Sequence, residues 1–181
     1  MSLTHSFNEM IKETRDLMDR ILFEQRSKRK TEFQALQNQI NPHFLYNTLD
    51  SIVYLSENKM NEKVIEMVVA LSKFFRISIS RGKNIILLKE ELEHARNYLL
   101  IQQIRYHEKF TYEFDIDEDV LDEEVVKLTL QPLIENAIQH GINTEYGKGK
   151  IIIRAFKKDD YLYLEVEDDG YGLLPEQIEE L

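Results

Sequence analysis

Cysteine is absent from this chain of 181 residues, which excludes disulfides and thiolate metal sites and fits a reducing compartment. No apolar run approaches the ~20 residues needed to span a bilayer, and no secretory leader opens the sequence. Basic residues are outnumbered, 23 against 33 acidic ones, for a net charge of −10 and a pI of about 5.0. A surface of that sign excludes wholesale nucleic-acid binding, and the one basic cluster, Arg26 to Lys30, is small and flanked by acids. Proline is scarce, at three residues. Against these absences stands a hydrophobic fraction of 43%, enough to build the core of one large domain or two small ones.

One of the three prolines falls inside a pattern that otherwise reads as a long amphipathic helix: Gln39-Ile40-Asn41-Pro42-His43-Phe44-Leu45-Tyr46-Asn47. Proline has no backbone N–H and its ring crowds the carbonyl four residues back, so the helix is expected to bend near Asn41. Such a bend can present His43 on an exposed face. Upstream, Phe7, Met10, Thr14, Leu17 and Ile21 form a heptad-like seam. The helix is expected from about residue 4 to the mid-50s, roughly 75 Å at 1.5 Å per residue. Ser56 to Lys59 reads as a turn. Val64, Met67, Val68, Leu71, Phe74 and Phe75 then form a second apolar face at helical spacing. Two helices alone cannot enclose that face, whereas two copies of the hairpin can, as a homodimeric four-helix bundle.

Arg81 to Asn84 marks the expected boundary, beyond which the pattern becomes α+β. Residues 88–105 read as a helix with Leu92, Ala95, Tyr98, Leu99 and Gln102 on one face, and 110–116 alternate as a strand. Residues 125–139 read as helical, with the true start near Gln131 and Pro132 in the first turn. Residues 151–156 and 161–166 read as strands of a hairpin joined by 157–160. The sum is helices on one face of a mainly antiparallel sheet.

Two segments of this half could carry chemistry. Glu135 and Asn136 lie mid-helix, with His140 a turn later. A carboxylate and an amide oxygen suit Mg²⁺, which takes hard oxygen ligands beside waters and phosphates. Asp168-Asp169-Gly170-Tyr171-Gly172 follows a strand. Its glycines allow a sharp turn and close approach to a flat ligand, and its carboxylate can accept from an exocyclic amino group. Alone, the first segment is also what a polar helix face looks like, and the second what a strand-ending turn looks like. Together, with a hairpin between them, they are far more specific. His94 and His107 read as solvated helix residues.

The order of helix asparagine, hairpin and Asp-x-Gly-x-Gly resembles the GHKL (Bergerat) ATP-binding fold, with its N box and G1 box. Residues 39–50 (QINPHFLYNTLD) closely resemble the phospho-acceptor segment of LytS/YesM-type sensor histidine kinases. Residues 88–93 (LKEELE), 98–102 (YLLIQ) and 130–137 (LQPLIENA) are also similar to that family, the resemblance covering about residues 33–174. It implies an α+β chain in three parts: an N-terminal coiled-coil signalling helix (1–32), dimerisation and phosphotransfer helices (33–83), and an incomplete GHKL α/β sandwich (84–181).

By the same resemblance, His43 is phosphorylated from ATP, and Asn136 with Glu135 holds Mg²⁺ on the phosphates. Asp168 contacts the adenine amino group, Gly170 and Gly172 shape its pocket, and His140 contacts phosphate. Many histidine kinases place an acid directly after the histidine. Phe44 stands there in this chain, so Glu135 becomes the candidate general base, with Asp50 second. Asn47, one turn after His43, is expected to position water for dephosphorylating the partner.

The implied partners are a second copy, ATP and a response regulator. Nucleic acid is not among them, and a membrane enters only through segments upstream of this soluble, cytoplasmic portion of a bacterial sensor. The family pattern runs on past Gly172 into an ATP lid, so weak nucleotide binding is expected of these 181 residues. Two other readings are a GHKL ATPase without phosphohistidine and a non-catalytic dimerisation module.

Overall fold

A computed structural model describes residues 42–78, 84–141, 149–170 and 172, with His140 and Gly141 as backbone alone. The expected coiled coil, the bend before Pro42 and residues 173–181 lie outside the described residues. The boundary between the two compact units of the chain falls after Phe44.

Helix α1 (Pro42–Glu57) ends where the turn was expected. Asn58 Nδ2 donates to the Tyr54 carbonyl at 2.8 Å, and Lys59 takes a left-handed φ of 58°. Helix α2 (Asn61–Ser78) and helix α3 (Leu88–Arg105) run antiparallel. A Lys63–Glu108 ion pair of 2.7 Å joins one end and ring contacts of Phe74 with His94 and Tyr98 join the other. Between them strand β1 (Ile85–Leu87) leads into α3, whose first turn is closed by Glu90 accepting from the Leu87 N–H at 3.2 Å.

Strand β2 (Phe110–Ile116), a 3₁₀ turn (Glu118–Val120), strand β3 (Glu124–Val126), helix α4 (Leu130–Asn136), a π turn (Ala137–Gly141), strand β4 (Gly149–Lys158) and strand β5 (Tyr161–Asp168) follow. β1 and β3 pair antiparallel. The larger sheet has the order β2-β4-β5, with β2 parallel and β5 antiparallel to β4. The β4–β5 turn is only Asp159-Asp160, with φ of 50° and 64° at its two central positions, the backbone of a two-residue hairpin loop.

Alternation sorts the sheet into two faces. Phe110, Ile151, Ile153 and Ala155 are wholly buried on the face met by α3 and α4. The other face carries Glu113 paired to Lys150, and Arg154 paired to Asp115, Glu165 and Glu167.

Four expectations are corrected. Residues 125–126, the front of the stretch read as helical, are strand, because β1 offers them a ladder that a local reading cannot see, and the helix starts at Leu130, beside the expected Gln131. The large sheet is mixed, since β2 and β4 pair in parallel across α4. Phe74 is covered by His94 and Tyr98 of the same chain, and of the expected α2 face only Val68 lies exposed. His94 is wholly buried, not solvated. It stacks on Phe74 at 4.4 Å, and its Nε2 lies 2.8 Å from Ser78 Oγ. His107 is exposed as expected.

Candidate active site

Helix α4 carries Glu135 and Asn136, and α3 determines where that helix sits. Three successive residues open α4. Leu128 has a left-handed φ of 64°, and Thr129 follows with a right-handed φ of −75° and ψ of −40°. Such a left-right succession turns neighbouring N–H groups toward one point, an anion nest. The anion is a side chain of the protein itself. Glu91, wholly buried on α3, accepts from Leu128 N–H through Oε2 and from Leu130 N–H through Oε1, both at 2.9 Å. Burial pushes the Glu91 carboxyl above the ordinary carboxylate range. The amides of Leu130, Leu128 and Thr129, with the Lys127 ammonium, oppose that shift. Lys127 itself donates to the Ser78 carbonyl at 2.9 Å, tying the same connector to the end of α2.

At the other end of α4, Glu135 is half-buried. Gln131 Nε2 donates to its Oε1 at 2.8 Å. Gln102 donates to Tyr98 Oη at 2.7 Å. Burial first, then the Glu135 carboxylate, push the Tyr98 phenol far above its usual range. Pro132 sits in the first turn as expected, where its missing N–H costs least. Asn136 closes α4 on an exposed position. The chain then widens into the π turn that contains His140, a local geometry found often at functional sites.

α4 and the π turn both lie against β5, which ends at Asp168. The helix that carries Glu135 and Asn136 therefore packs on the strand that ends at Asp168, 32 residues on in sequence. Asp168 projects half-buried on the inner face, and its Oδ1 accepts from the Gly170 N–H at 3.0 Å. Asp169 extends the ladder, its Oδ1 accepting from the Lys150 N–H at 2.8 Å. Gly172 has a φ of 70°, a backbone that favours glycine, and a Cβ added there would meet nothing within 4 Å among the described residues.

His43 is exposed near the start of α1. Asn47, four residues on, is half-buried, and its carbonyl accepts from Ser51 Oγ at 2.7 Å.

A model described as "Histidine kinase" matches residues 31–110. Another, described as "Histidine kinase-, DNA gyrase B-, and HSP90-like ATPase", matches 121–181. Among curated relatives, Sensor histidine kinase YesM of Bacillus subtilis is 39% identical over 171 residues, 94% of this chain and 30% of that protein. Sensor protein LytS of Staphylococcus saprophyticus is 34% identical over 154 residues, 84% of this chain and 26% of its own length. Sensor histidine kinase BtsS of Escherichia coli K12 is 33% identical over 141 residues, 78% and 25% respectively. The chain belongs to the LytS/YesM-type sensor histidine kinases. It spans less than a third of the length of each of these relatives.

The sequence motifs include Glu135, Asn136, Asp168, Gly170 and Gly172 but not Glu91 and Tyr98. The available signal was their spacing: seven residues, two helical turns, puts both on one face of α3. Among the described residues, no three His, Cys, Asp or Glu side chains cluster as a metal cage. Mg²⁺ binds by one or two protein oxygens plus phosphates, and Glu135 with Asn136 suits that pattern.

Proposed function

We propose that this segment moves the γ-phosphoryl group of ATP to a ring nitrogen of His43, and from there to an aspartate of a response regulator. The observation that carries the reading is an exposed histidine on α1, inside the histidine kinase match, in the same chain as the N-box and G1-box motifs. Neither a GHKL ATPase nor a passive dimerisation module has a use for both.

Phosphoryl transfer asks the protein mainly for in-line positioning and charge neutralisation. Asp168 is assigned to the adenine amino group, its Oδ1 held by Gly170 N–H, with Gly170 and Gly172 shaping the pocket. Glu135 and Asn136 are the residues that would hold Mg²⁺, which when bound neutralises charge developing on the phosphates. His140 is assigned to a phosphate contact. The imidazole of His43 attacks in its neutral form and sheds a proton. Glu135 is the candidate acceptor, held by Gln131, and Asp50 is the second candidate. Asn47 is assigned to positioning water in the reverse, dephosphorylating step.

A homodimer is proposed on two exposed apolar stripes at helical spacing, Tyr46, Leu49 and Val53 on α1 and Ile65, Val68 and Val69 on α2. A second copy laid on them would complete a four-helix bundle. Residues 33–83 would then be the phosphotransfer part and 84–181 the ATP-binding part, with 1–32 the coiled coil that delivers the signal. The kinase would be anchored to a membrane by segments upstream.

The test is incubation of the full-length kinase with labelled ATP. Wild type is expected to gain acid-labile, base-stable phosphate and His43→Gln to gain none. Label retained in His43→Gln, or label stable to acid, would refute the assignment.

A further inference from the structure

We propose that Glu91 and Tyr98 are positioning residues that clamp α4 from both ends and fix Glu135 and Asn136 for a metal–nucleotide complex. The inference rests on the kinase reading of those two residues. The clamp has three parts. Glu91 binds the amides of Leu128 and Leu130 at 2.9 Å each, so the start of α4 is fixed by a carboxylate that has no solvent around it. Tyr98, two turns along the same face of α3, lies in the helix that packs on α4, its hydroxyl fixed by Gln102 at 2.7 Å, and the nearby Glu135 carboxylate adds to the rise of its phenol. Between these points α4 is only seven residues long, too short to hold its place by its own hydrogen bonds.

A buried glutamate is a costly way to start a short helix. An apolar residue at 91 would leave the nest amides unpaired, whereas a serine or aspartate at the N-cap would satisfy a helix start locally. Here Thr129 stands at the N-cap and makes no side-chain cap bond. The start of α4 is tied to α3, and through Lys127 and the Ser78 carbonyl to the end of α2. The adenine end of the site, Asp168 to Gly172, is built on β5 and does not use the clamp.

That separation predicts a selective defect. In the full-length kinase, Glu91→Gln removes the charge and one acceptor at nearly constant volume, and Tyr98→Phe removes only the hydroxyl. Each is expected to lower kcat for autophosphorylation at least tenfold and to raise the half-saturating Mg²⁺ concentration for ATP at least fivefold. Affinity for metal-free ADP should stay within twofold. In Glu91→Gln the Leu128 and Leu130 amides should also exchange with solvent at least tenfold faster. The clamp is overturned if either folded variant keeps wild-type kcat and Mg²⁺ dependence, or loses metal-free ADP affinity as much as ATP turnover. If Glu91→Gln fails to fold, Tyr98→Phe decides by the same readouts. Wild type that binds Mg²⁺-nucleotide without labelling His43 would refute the kinase reading alone, and the binding arm would still judge the clamp. Wild type that binds no nucleotide would refute both.

Discussion

Helices α2 and α3 are both 18 residues long and lie side by side, yet they use their residues in opposite ways. α3 buries polar groups: Glu91, His94, Asn97 and Gln102 are all inside. α2 exposes apolar ones: Ile65 is 64% exposed and Val69 49%. Buried polar groups are costly unless paired, and most of those on α3 are paired within the chain, so its neighbours are already present. Exposed branched side chains at helical spacing are the stripe on which the proposed second copy would dock. One helix turns its polar groups inward, and the other leaves apolar ones in solvent.

The comparison breaks most visibly at Glu91. Glu91→Leu leaves the Leu128 and Leu130 amides without their acceptor and is expected to cost about 3 kcal/mol of stability, since hydrogen bonds to charged groups contribute about 1.5–3 kcal/mol each. Denaturant unfolding of the variant measures it, and a loss below about 1 kcal/mol would mean that the nest finds water instead.

A loss of similar size is expected from acid at His94. Burial holds its imidazole down to about 4, with Lys127 adding to the effect. Ser78 Oγ donates to the Phe74 carbonyl at 2.8 Å, so the His94 Nε2–H donates to Ser78, leaving Nδ1 buried without a partner among the described residues. The folded state resists the proton that the unfolded chain takes near 6.5, so between pH 6.5 and 4 the unfolded state binds more protons. The stabilisation is complete above that window and is lost as pH falls through it, to about 3 kcal/mol in all. His94→Phe keeps the stack on Phe74 and should flatten that part of the stability–pH curve, and an unchanged slope would place the titration elsewhere.

On α2 the expected effect is on assembly. Val69→Glu should weaken self-association at least tenfold, about 1.4 kcal/mol, with the fold intact. Sedimentation across a dilution series reads it, and undiminished association would move the interface off this stripe. The smallest effect belongs to the solvated sheet face. Arg154→Ala, despite pairing with three carboxylates, should cost no more than about 1 kcal/mol and progressively less with added salt.

Much of the architecture was legible because its causes are local. The α3 boundaries, Leu88 and Arg105, and the β2 boundaries, Phe110 and Ile116, coincide with the periodic segments in the sequence. Pro132 announced the first turn of α4, and two aspartates that tolerate left-handed backbone closed the hairpin. Residues 125–126 misled because a three-residue strand has no period of its own, and it exists only through β1, some 40 positions earlier. The parallel β2–β4 pairing was hidden for the same reason. In the candidate site, Glu135, Asn136, Asp168 and the glycines were visible as motifs. Glu91 was visible only as one more acid in LKEELE, since nothing in a stretch of charged residues says which one faces inward.

Sequence alone determined the composition-level exclusions, the periods of the helices and strands, the kinase motifs and the family. These depend on residue type and on spacing within a few turns of chain. Tertiary structure alone decided which polar residues of α3 are buried, that Glu91 faces the amides that open α4, that His94 is enclosed, and that Val68 is left outside. Each of those outcomes depends on a neighbour far away in sequence, and burial of a charge becomes tolerable only once distant backbone groups have been brought to meet it.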